Sequence, residues 1–264
     1  MGIADANVFL DGEESSVYTH CMSGRTLLFL VFGLGVSPVF AATVPGEPPV
    51  VTAVKNDDLA GVKSLIAQGA DLDAKDRFGW TAVMWSVGHG DAAITKALLA
   101  AGADAAPKDS PDFNAMIEAV KAGKRETVKL LASRGFDCNV KDATGVPAIS
   151  FAFSTATVKA LLACKADANA RDSHGFTALI RAAQLGQAPL AAYLLANGAK
   201  VNERDKSGYT ALMWAAHAGS ADTVSVLLAA RANPAIKGKD GRTAYSIAVA
   251  RGRTAAAALL PATP

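Results

Sequence analysis

Aromatic side chains are scarce in this chain, at 6% of 264 residues, although hydrophobic residues reach 51%. A core with few large rings favours close-packed helices of modest diameter. Small residues let helix axes approach, and alanine has the best helix propensity. Charge is sparse too, at 19%. No long acidic or basic tract occurs, and no proline-rich or Gly/Ser-rich linker, so the composition excludes an intrinsically disordered chain. Cysteine appears three times, as Cys21, Cys138 and Cys164. That excludes a disulfide framework, and neither CxxC nor the Cys/His spacing of a zinc site is present. The signatures of chemistry are missing as well: G-x-S-x-G, H-E-x-x-H, the phosphate-cradling G-x-x-x-x-G-K-[ST] and the dinucleotide G-x-G-x-x-G. The sequence therefore points away from an enzyme and names no cofactor and no metal.

The formal charge is +2. Residues 1–41 hold Asp5, Asp11, Glu13, Glu14 and one base, Arg25. Without them 25 basic and 20 acidic side chains remain, a mild excess of +5. Acids and bases alternate along the chain, which leaves no nucleic-acid footprint.

The longest apolar stretch, Thr26 to Phe40, is interrupted by Gly33, Gly35 and Pro38 and is short for a membrane span. It follows the basic segment Met22-Ser23-Gly24-Arg25 and ends in Val39-Phe40-Ala41-Ala42. Val39 and Ala41 suit the −3 and −1 positions of a signal peptidase site. Residues 22–41 thus read as a secretory signal peptide, and residues 42–264 as the mature domain. The expected location is periplasmic or secreted. The alternative is an uncleaved leader anchoring the chain in the inner membrane. Residues 1–21 are acidic and unpatterned and make a poor n-region, so Met22 is read as the true start. Cys138 and Cys164 remain after cleavage and are expected to be unpaired, partly buried thiols.

The mature domain repeats. Gly79-Trp80-Thr81-Ala82 recurs as Gly175-Phe176-Thr177-Ala178, Gly208-Tyr209-Thr210-Ala211 and Gly241-Arg242-Thr243-Ala244. Gly175, Gly208 and Gly241 are 33 residues apart, and the same step links Gly46, Gly79, Asp112 and Gly145. Only Gly145 to Gly175 is shorter, at 30. A second landmark follows each: Leu65-Ile66, Leu98-Leu99, Leu130-Leu131, Leu161-Leu162, Leu194-Leu195 and Leu227-Leu228, most leading into an Ala-Asp-x-Asn-like turn. The threonines are good helix N-caps. Gly90, Gly123, Gly186, Gly219 and Gly252 are placed to end a first helix, and Gly69, Gly102, Gly135 and Gly198 a second. Neither helix is long enough to stand alone, so stability must come from stacking neighbours.

Period and motif together resemble the ankyrin repeat, over about residues 43–260 in seven copies. Departures are alanine for the usual proline after threonine, and methionine or isoleucine for the usual histidine, as in many bacterial members. The resemblance implies an all-α repeat solenoid of helix-turn-helix pairs with β-hairpin-like connecting turns. It also implies a non-catalytic function, the binding of a protein partner on a concave face.

Repeats three and four break the pattern. Asp112 and Asn114 stand where Gly and Thr are usual, and repeat four lacks three residues between its helices. Its second helix ends at Lys165 where glycine is usual, and repeat six ends likewise at Arg231. This region is the candidate for a bend or local opening. The truncated last copy, around Arg251-Gly252-Arg253-Thr254, reads as a polar cap.

In ankyrin domains the residue after the repeat glycine projects toward the concave face. Here it is Glu47, Trp80, Phe113, Val146, Phe176, Tyr209 and Arg242. Four of seven are aromatic in a chain poor in aromatics, which predicts a ladder of exposed anchors. The competing reading is that each ring packs sideways on the next hairpin. Companions implied on the same face are Arg77, Phe78, His89, Lys121, Gln184, Leu185 and His217. His89, His174 and His217 are read as surface side chains. The resulting expectation is a periplasmic protein-binding module. Its alternatives are a dedicated inhibitor or immunity protein for one enzyme or toxin, and a host-directed effector. No nucleic-acid or small-molecule partner is expected, and a membrane enters only through an uncleaved leader.

Overall fold

The computed structural model describes residues 17–22, 25–30, 46–89, 92–105 and 113–262. The chain divides into two compact units at Ala42/Thr43. In the first, β1 (Val17–Met22) and β2 (Arg25–Leu30) pair antiparallel, with Val17 opposite Leu30 and Met22 opposite Arg25. The rest of the expected leader, residues 23–24 and 31–41, lies outside the described residues. No helix among the described residues is long and apolar enough to cross a membrane.

The second unit is a row of helix pairs, one per repeat. They are α1 (Pro49–Lys55) with α2 (Leu59–Ala67), α3 (Ala82–His89) with α4 (Ala92–Ala100), and α5 (Ala115–Lys121) with α6 (Arg125–Ser133). Repeat four pairs a short 3-10 helix, Ala148–Phe151, with α7 (Thr155–Ala163). Then come α8 (Ala178–Gln184) with α9 (Ala188–Ala196), α10 (Ala211–Ala218) with α11 (Ala221–Ala229), and α12 (Ala244–Ala250) with α13 (Thr254–Leu259). First helices start as the sequence predicts. The hydroxyls of Thr177, Thr210 and Thr243 accept from the N–H groups of Ile180, Met213 and Ser246. Asn114 does the same for Ile117, so repeat three keeps a cap without its threonine.

Stacking buries what each short helix cannot bury alone. Leu98, Leu131, Leu161, Leu194 and Leu227 are wholly excluded from solvent. Each such side chain contributes about 1.5–3 kcal/mol by leaving water. Polar clamps add register between copies. The Asn169 carboxamide accepts from Lys200 N–H at 2.8 Å and donates to Gly198 C=O at 3.0 Å. Asn139 grips the Asp167 N–H and the Lys165 C=O in the same way, and Asn202 accepts from Asn233 N–H.

The shortened fourth repeat has a distinct construction. Three missing residues leave its first helix as one 3-10 turn, and its Phe153 is 52% exposed. Cys138 and Cys164 are joined in a disulfide, not held as free thiols as the sequence suggested. Cys138 is buried behind α6 and Cys164 caps α7, which brings their Cα atoms to 6.3 Å, within bonding range. The bridge encloses both helices of repeat four. The last copy also departs from expectation: Val249 and Leu259 are exposed, so its outer surface is partly apolar.

Lys165 and Arg231 do take the left-handed conformation, at φ 64° and 63°, and Asp57 joins them at 52°. A side chain there costs about 1–2 kcal/mol, partly offset by the extra freedom glycine gives the unfolded chain. Lys165→Gly and Arg231→Gly are therefore each expected to stabilise the fold by about 0.5–1 kcal/mol in urea melts. Unchanged or lower midpoints would show that these turns are unstrained.

Candidate protein-binding face

An aspartate three residues before the repeat glycine builds the hairpins of repeats two, four, five and six. One carboxylate oxygen of Asp76 accepts from Phe78 N–H at 2.8 Å and Trp80 N–H at 3.0 Å. Asp142, Asp172 and Asp205 repeat this with the N–H groups two and four residues on. The second oxygen reaches the first helix. In Asp76 it accepts from the Trp85 indole N–H at 2.9 Å and in Asp205 from the Trp214 indole at 2.8 Å. In Asp172 it meets the Arg181 guanidinium at 2.5 Å. Asp76 also takes the Lys55 ammonium at 3.0 Å. Burial pushes the Asp76 and Asp172 carboxyls up, but these donors outweigh it and hold both below the usual carboxylate value.

Each pinned tryptophan organises an aromatic cluster. In the first, Trp85 packs on Trp80 at 5.1 Å and His89 at 5.4 Å, and Trp80 meets Phe113 edge-on at 6.4 Å. Lys55 lies 4.3 Å from the Trp85 ring, and Arg77 covers Phe78 at 4.7 Å. In the second, Trp214 is packed by Phe176 at 5.3 Å, Tyr209 at 5.7 Å and His217 at 5.4 Å, while Arg181 covers Phe176. The rings after the repeat glycine are thus half-buried, which fits the reading in which each packs on its neighbours and not that of a freely exposed ladder. They form two clusters, because Val146 stands between Phe113 and Phe176 in sequence and offers no ring.

Arg77, His89, Lys121, Gln184 and Leu185 are exposed, Leu185 at 54%, while Phe78 and His217 are half-buried. His174 sits exposed at a hairpin tip. Lys121 pairs with Glu118 and covers Phe151. Glu47 is tied to Lys55 and does not join a cluster. Burial, and then Arg251, Arg253 and Arg242, lower the His217 pKa, favouring the neutral ring. Arg242 and the Tyr209 hydroxyl both bind Asp240 at 2.5 Å. Led by the Tyr209 hydrogen bond, this network holds the Asp240 carboxyl at about 2. Sequence reasoning missed Trp85, Trp214, Arg181 and the aspartates behind them. The signal was available: tryptophan follows the repeat glycine by six residues in both repeats two and six.

Among the described residues no group of three or more His, Cys, Asp or Glu is placed to hold a metal ion. What the geometry supplies is a row of hairpins and first helices with pinned rings flanked by cations. That defines a helical repeat solenoid of the protein-binding class. The family described as ankyrin repeats (3 copies) matches residues 50–142 and 197–263, and ankyrin repeats (many copies) match residues 161–212. The chain belongs to the ankyrin-repeat family, whose arrays are protein–protein interaction modules and in general not catalysts. Among solved structures it is similar to the ankyrin repeat domain of Bcl-3, described as a unique member of the IkappaB protein family. The TM-score is 0.69 and the identity 24%, over 81% of this chain and 98% of that one. No curated protein sequence matches.

Proposed function

We propose that this chain is a bacterial protein-binding module exported to the periplasm, which engages its partner through the hairpin and first-helix face. The observation that carries the reading is the pair of aromatic clusters. Half-buried Trp80, Phe113, Phe176 and Tyr209 are large, amphipathic and held in place, so little side-chain entropy remains to be lost on binding. Arginine and tryptophan side by side are typical of binding hot spots. Two features support export. Residues 22–41 carry the parts of a signal peptide, and the Cys138–Cys164 disulfide suits an oxidising compartment.

Cell fractionation with a pull-down tests both halves. The mature protein is expected in the periplasm with one or more partners, lost from a Trp80→Ala/Phe113→Ala/Phe176→Ala/Tyr209→Ala variant that still melts cooperatively. A partner retained by the variant would move the site off this face. A cytoplasmic location would remove the export reading.

A further inference from the structure

We infer that the part of this face built by repeats six and seven receives an acidic segment of the partner protein, whose carboxylates meet Arg242, Arg251 and Arg253 while its apolar atoms lie beside Trp214. The inference rests on the proposed binding face and specifies what that face takes. Arg251 caps α12 and Arg253 precedes α13, both exposed. The Arg253 side chain runs across Gly219, where an added Cβ would lie 2.6 Å from its Cδ. That places it over the end of α10, which carries His217 and Trp214. Neither Arg251 nor Arg253 makes an ion pair among the described residues. The carboxylates in the cluster are already engaged: Asp240 is shared by Tyr209 and Arg242, and the buried Asp205 holds the Trp214 indole and the N–H groups of Ser207 and Tyr209.

Three guanidiniums against two engaged carboxylates, one of them buried, leave a net positive patch beside an aromatic surface. Some cations elsewhere are matched locally, as in Arg171–Glu203, Arg125–Glu126 and Lys121–Glu118. A nucleic-acid strand or a membrane would call for a continuous basic stripe, which the array lacks. A short acidic peptide needs only this patch. The planar fork of arginine suits carboxylates, and the neighbouring rings suit apolar side chains between them.

The test is fluorescence anisotropy with the full chain and a short labelled peptide alternating glutamate and leucine, with its lysine counterpart as reference. The acidic peptide is expected to bind, more weakly as salt rises. Arg251→Glu/Arg253→Glu, and the milder Arg251→Gln/Arg253→Gln, should weaken it by about tenfold or more. Lys96→Glu/Lys159→Glu, on second helices, should not. Equal affinity in the arginine variants, equal binding of the lysine peptide, or tighter binding to phosphatidylglycerol vesicles or single-stranded DNA would each overturn the inference. The broader face reading fails separately, if the native partner cross-links to the second helices.

Discussion

Replacing Cys138 and Cys164 together by alanine is expected to lower the unfolding free energy by about 3–4 kcal/mol. The bridge spans 26 residues and closes a loop around repeat four. Removing it returns to the unfolded chain the entropy that the loop had taken away. The loss falls where the array is least able to bear it. Repeat four has one 3-10 turn in place of a first helix, a left-handed lysine at the end of its second helix, and a buried Ser150 hydroxyl without a partner. Urea melts of the variant, and of the wild type under a reductant, measure the cost. Hydrogen exchange locates it: faster exchange in residues 145–170, with repeats five to seven still protected. A melt unchanged by reduction would show that stacking alone holds repeat four.

Asp76→Ala is expected to cost about 3–5 kcal/mol, because the carboxylate satisfies four donors at once. Its loss strands the N–H groups of Phe78 and Trp80, the buried Trp85 indole and one contact of the Lys55 ammonium. The same geometry fixes the direction of the pH dependence. The folded Asp76 and Asp172 carboxyls titrate below their unfolded value. Their stabilisation is therefore complete above the unfolded carboxylate pKa and is lost as pH falls through the folded one. Tryptophan fluorescence during acid titration should report loosening of the Trp85 cluster below about pH 4. Asp76→Ala should flatten that acid response while lowering the neutral-pH urea midpoint. A variant as stable as wild type would mean that water replaces the carboxylate without loss.

The glycine period, the paired leucines and the threonine caps were legible because each is a local requirement repeated in every copy. Lys165 and Arg231 could be placed in the left-handed region for the same reason: the stack demands that conformation whatever residue occupies it. Asp57 was missed because the first copy is too degenerate to show that its own glycine is absent. The disulfide was illegible because a separation of 26 matches no whole repeat. Stacking places the turn behind one second helix against the end of the next, as Asn139–Lys165 and Asn169–Gly198 both show, and this brings Cys138 against Cys164. The sequence left two readings of the ring environment open, an exposed ladder or packing on neighbours, and the structure fits the second. The residue after the repeat glycine was weighed alone, whereas its packing is set by a partner six residues beyond the glycine and by an aspartate three before it.

On the proposed function the partner sits on the hairpins and first helices, not on the second helices. Site-specific photo-crosslinking tests this most directly. A photoreactive side chain is placed in turn at Arg77, Gln184 and Leu185, and at Lys96, Lys129 and Ala192, all of them exposed. The first set lies on hairpins and at first-helix ends, the second on α4, α6 and α9. Adducts with the partner at the first three sites and none at the second three are the expected result. Adducts at Lys96, Lys129 and Ala192 alone would contradict the account.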